Sequence, residues 1–129
     1  MNTNTLVLNA FKEIIESPLY DKNKLTHYFS SDYKQVVNGN LLDFDGFIKH
    51  VERLKTETKN MTLTVIASAA EGDTVFTHHN VVVEKEDGEL TLFEVLANFT
   101  VSNSKIVRCE ELTRVIQGTD SDQDLGHRH

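Results

Sequence analysis

The chain has no tryptophan, one cysteine (Cys109), one proline (Pro18) and six glycines among its 129 residues. It also lacks any cluster of Lys and Arg, and any apolar run near the ~18 residues that a membrane span requires. Each absence closes a class of protein. A lone cysteine cannot build an internal disulfide framework and suits a reducing compartment. With a net charge of −7 and no basic cluster, the surface offers phosphate groups nothing to displace their counterions, so nucleic acid is not an expected partner. Leu6 to Leu8 is too short, and lacks the basic flank, to be a signal peptide. The expectation is a cytoplasmic protein with no membrane contact. There is no glycine-rich phosphate loop, His-Glu-x-x-His, Cys-x-x-Cys or nucleophile elbow, so nucleotide, zinc-peptidase, redox and serine-hydrolase chemistry are not expected. No cofactor and no metal is implied.

What is present suits one domain that folds without staples. Hydrophobic residues make up 39% and charged residues 26%, and the aromatic fraction of 8% without Trp makes the core aliphatic plus Phe. Leu6, Val7, Ala10, Phe11, Ile14 and Ile15 recur at three- and four-residue spacing, which predicts a first helix that stops before Pro18. A second, short helix is predicted over Lys22–Phe29. A loosely alternating run, Tyr33–Val37, enters the turn Asn38-Gly39, and Asp43 then caps a third helix with Phe44, Phe47, Ile48, Val51 and Leu54 inward. Beyond Asn60 come four β-prone runs, MTLTVIASAA, TVFTHHNVVVE, LTLFEVLANFTV and IVRCEELTRVI, separated by short turns. Turns that short require antiparallel neighbours. The expected fold is α+β, three helices on one face of a strongly curved antiparallel sheet, forming a cone whose open end admits a small molecule. Residues 1–116 make the domain. The polar run 117–129, QGTDSDQDLGHRH, is expected to be a mobile or partner-bound tail dispensable for the fold.

The order of elements, together with the DYKQVVNG run, the helix start DFDGF, EGDTV at Glu71–Val75 and SKIVRCEELTRV near the end, resembles the SnoaL-like branch of the nuclear transport factor 2-like superfamily, which has a cystatin-like fold. The resemblance implies a pocket protein, and the superfamily spans polyketide cyclases, isomerases, epoxide hydrolases and association domains without catalysis. In the cyclases an acid/base residue stands about eight residues beyond the Ile that corresponds to Ile106; that place holds Arg114, which does not titrate near neutrality. In the epoxide hydrolases a Tyr-x-Asn pair and an Arg-x-Asp pair hold the reactive water. Here the first reads Tyr33-x-Gln35 and the second His79-x-Val81, so the hydrolase carboxylate is missing.

Period-two alternation puts Val75, Thr77, His79, Val81 and Val83 on the more apolar face of one strand and His78 on the other. The two histidines therefore do not close on one metal ion. His79 reads either as the titratable group of the pocket, a general base, or as a core histidine bonded to a neighbour. Tyr33 and Gln35 share a facing and could hold a carbonyl or a water, and His50 lies on the flank of the third helix's apolar stripe. On the last strand Ile106, Arg108, Glu110, Leu112 and Arg114 share a face, so Glu110 beside Arg108 or Arg114 either orients a polar ligand or forms a structural ion pair. Two readings follow. One is a small-molecule enzyme transferring a proton on an apolar or carbonyl compound, with His79 catalytic and Tyr33, Gln35, His50, Glu110 and Arg114 binding. The other is a dimeric binding or association domain without catalysis. A homodimer is expected from the resemblance and from the outward apolar residues Phe76 and Ile66.

Overall fold

The computed structural model describes residues 2–118, and the tail expectation beyond 118 lies outside the described residues. Asn2 caps the first helix, α1 (Thr3–Ala10), by accepting from Thr5 N at 2.8 Å. The apolar stripe then continues through one π-helical turn, Phe11–Ile15, where a single regular helix was expected. The wider turn keeps Phe11 and Ile14 buried, and Lys55 Nζ closes it by donating to the carbonyls of Ile15, at 2.7 Å, and Ser17.

Asp21 caps α2 (Lys22–Tyr28) through Asn23 N at 2.9 Å, and the chain passes at once into β1 (Phe29–Val37). Asn38 and Gly39 both take positive φ, 48° and 85°, as a tight two-residue hairpin turn requires. This turn folds β2 (Asn40–Asp43) back on β1, a four-residue strand that the expectation does not include. Asp43 caps α3 (Phe44–Glu57) as expected, accepting from Gly46 N at 2.9 Å.

The four expected strands follow as β3 (Thr58–Glu71), β4 (Thr74–Lys85), β5 (Leu90–Ser102) and β6 (Lys105–Gln117), each antiparallel to the next. The curved sheet has the order β2-β1-β6-β5-β4-β3. One pairing departs from the simple meander: β1 lies parallel to β6. The long chain between them makes this possible, since a parallel pair needs a long crossover. Helices α1 and α3 and the π turn cover the inner face, where Val7, Val37, Val75 and Ile106 are fully buried. No helix among the described residues is long and apolar enough to cross a membrane.

A candidate proton-transfer cavity

Between the helices and the inner face of the sheet lies a cavity of about 140 Å³. Phe11, Phe29, Phe47, Phe93 and Phe99 supply much of its wall. Its polar lining comes from Tyr33, Gln35, His50, His79, Cys109, Glu111 and Thr113, and no Lys or Arg is among the described residues that line it.

Strand alternation delivers His79 as expected: Val75, Thr77, His79 and Val83 are buried, whereas His78 faces out. His79 Nδ1 is 3.0 Å from Thr77 Oγ1, and its ring stands 4.7 Å from that of Phe11, centroid to centroid. Burial, helped by the neighbouring charge of His78, pulls the imidazole from 6.5 down to about 4. At pH 7 it is a neutral hydrogen-bonding group.

Tyr33 and Gln35 also arrive together. The Tyr33 hydroxyl donates to Gln35 Oε1 at 2.9 Å, and Tyr33 is buried to 1% exposure. Burial first, then the nearby Cys109 and Glu111, keep this phenol protonated far above its ordinary range. Cys109 adjoins the Tyr33 hydroxyl, and its thiol is pushed up chiefly by burial, against which the contact with Tyr33 works. Gln35 lines the cavity with its amide oxygen bonded to Tyr33, so its N–H groups are the part of the amide that this bond leaves for a ligand. His50, 5% exposed on α3, completes this wall.

The residue that the sequence reading missed is Glu111. It lines the cavity on β6, and burial alone pushes its carboxyl from 4.5 up to about 7. No hydrogen bond or ion pair reaches it among the described residues, so it is a carboxyl without a neutralising partner in an apolar space. Asn38 holds the strand at this point. Its backbone N–H donates to the Glu111 carbonyl at 3.0 Å, and its side chain bridges Thr113 O and Thr113 N, each at 2.9 Å.

Glu110 and Arg114, expected in the pocket, lie instead on the outer face. A bulge explains the inversion: Val101 pairs with Ile106 and Thr100 with Arg108, leaving Val107 as an extra residue. Ile106 points inward before the bulge, and Cys109, Glu111 and Thr113 point inward after it. Alternation counted from Ile106 therefore selects the wrong face. The apolar company of Cys109, Thr113 and Val115 was the available signal. Outside, Glu110 Oε1 accepts from Arg108 Nε at 3.0 Å, the structural ion pair that was the other reading of this residue. Glu94 takes Arg114 Nε at 2.6 Å and His78 Nε2 at 2.8 Å, and these hydrogen bonds, His78 first, hold its carboxyl below the usual range.

No family model matches the sequence. An uncharacterized protein of Schizosaccharomyces pombe is 29% identical over 106 residues, which cover 82% of each chain. Among solved structures, AclR of Streptomyces galilaeus, a candidate hydroxylase, superposes with a TM-score of 0.76 at 15% identity over 98% of this chain and 86% of its own. IdmH of Streptomyces antibioticus, a candidate polyketide cyclase, gives 0.75 at 16% identity over 88% and 92%. The chain thus has the nuclear transport factor 2-like fold, in the form seen in SnoaL-like proteins.

Proposed function

We propose that the protein is a small-molecule enzyme of the proton-transfer kind, an isomerase, cyclase or lyase, acting beside a carbonyl group in this cavity. The observation that carries the proposal is the Glu111 carboxyl in this cavity, without a partner among the described residues and raised to about 7 by burial, because an acid/base group works best with a pKa near the operating pH. Glu111, as carboxylate, takes a proton from the carbon next to the carbonyl. The C–H electron pair forms the new C=C bond as the carbonyl π pair moves to oxygen, where a Gln35 N–H donates to it. Protonated Glu111 then returns the proton to carbon. Atoms and charge balance with no external reagent. In this reading the base is Glu111 and not His79, since an imidazole at about 4 is a weak base; neutral His79, oriented by Thr77, contributes a hydrogen bond. The likeness to candidate cyclases and hydroxylases agrees with an enzyme at the level of fold. The test is deuterium exchange into a simple ketone in D₂O followed by NMR. Protein-dependent exchange should rise as pH passes through about 7. Exchange no faster than buffer across a panel of ketones would sink the proposal.

A second reading, self-association, is favoured by the outer face, where Ile66, Phe76, Leu96 and Leu112 are each more than half exposed. A second copy of the chain would cover them. Light scattering at micromolar concentration should give twice the 14.6 kDa chain mass; the monomer mass contradicts it.

A further inference from the structure

Three properties of the cavity narrow what it can take. Its volume of about 140 Å³ is that of one small ring, since apolar cavities of roughly 150 Å³ hold benzene. Its charge is of one kind: Glu111 is its carboxyl, and no Lys or Arg lines it among the described residues, so an anionic ligand would meet a second negative charge in an apolar space. Its polar anchor is the Gln35 amide, which offers N–H donors while Tyr33 takes one lone pair of its oxygen. An amine would be drawn to Glu111 but would face these N–H groups donor to donor. A carbonyl oxygen is matched by them.

We infer, on the basis of the proton-transfer reading, that the substrate is an uncharged single-ring carbonyl compound whose oxygen rests on the Gln35 amide, and that Glu111 turns carboxylate- and phosphate-bearing molecules away. Glu111 thus acts twice, as the proton carrier and as the charge filter. Selection by ring number follows from the volume, since a fused second ring exceeds the space that one small ring fills.

Calorimetry at pH 8 with cyclohexanone, cyclohexanecarboxylate, cyclohexylamine and 2-decalone tests this. Cyclohexanone should bind, and the carboxylate should bind about tenfold more weakly or worse. Glu111→Gln, checked for native circular dichroism, should close that gap by admitting the carboxylate. Equal binding of the carboxylate or the amine to the unaltered protein overturns the inference. So does tighter binding of 2-decalone, or an absence of cyclohexanone binding. Should Glu111→Gln fail to fold, Gln35→Leu serves: it should weaken cyclohexanone and leave the carboxylate excluded, and unchanged ketone affinity counts against the anchor. Deuterium exchange separates the two claims. Selective cyclohexanone binding without exchange leaves the ligand class standing and removes the chemistry, whereas exchange into 2-decalone alone keeps the chemistry and removes the class.

Discussion

The two faces of the sheet carry the same types of residue in opposite states. On the outer face Glu94 is held by His78 and Arg114, and Glu110 by Arg108. On the inner face, one residue further along the same strands, His79 has only a threonine hydroxyl, and Glu111 has no partner among the described residues. A paired charge is already satisfied and has little reason to respond to anything that arrives. An unpaired carboxyl in an apolar space costs stability and is poised to change its proton, which is what a reacting group must do. The neighbouring pairs His78/His79 and Glu110/Glu111 therefore divide ion-paired from unpaired groups within a single peptide unit.

The strongest way to break this comparison is to neutralise one member of each pair. Glu111→Gln keeps size and hydrogen-bonding capacity but cannot carry a proton, and should lower ketone exchange by about two to four orders of magnitude. Glu110→Gln, facing solvent beside Arg108, should leave the rate within about twofold, as for a surface change remote from the chemistry. Equal losses in the two variants, measured by the same NMR exchange assay, would mean that facing does not decide function here.

How far the sequence discloses this contrast depends on local chain regularity. Strand β4 has no bulge against β5, so counting by twos from Val75 places His79 inside and His78 outside correctly. The Asn38-Gly39 turn and the Asp43 cap were legible for a similar reason, each being a local rule read over a few residues. Strand β6 was not, because one extra residue at Val107 reverses the side chains that follow, and only the apolar company of Cys109, Thr113 and Val115 hints at it. The parallel pairing of β1 with β6 joins residues 74 to 77 positions apart, and the bridge from Asn38 to Thr113 joins residues 75 apart. No short-range pattern reports such contacts.

The same contrast is visible in stability against pH. For Glu111 the folded-state pKa, about 7, lies above the ordinary 4.5, so the folded state binds more protons between those values and stability falls as pH rises through them. For His79 the folded value, about 4, lies below 6.5, so stability rises with pH over that window. The two slopes oppose each other from about 4.5 to 6.5 and largely cancel. Glu111→Gln should expose the His79 slope and make the protein more stable at pH 8, by roughly 3 kcal/mol, with the gain vanishing near pH 4.5. Urea midpoints across pH measure this. A destabilised Glu111→Gln protein at pH 8 would show that the carboxylate has a partner after all.

The smallest expected effect belongs to the outer pairs. Arg108 and Glu110 are 44% and 55% exposed, and solvent screens an ion pair at that depth. A double-mutant cycle with Arg108→Ala and Glu110→Ala, read as urea midpoints at concentrations too low for association, should give a coupling below roughly 1 kcal/mol that salt reduces further. Coupling that stays well above that figure in dilute, salted solution would put the outer pairs in the energetic class of buried ones and dissolve the distinction between the faces. Coupling that grows with protein concentration has a different cause. It would mean that a second copy removes the pair from solvent, and would place Arg108 and Glu110 in the contact between copies.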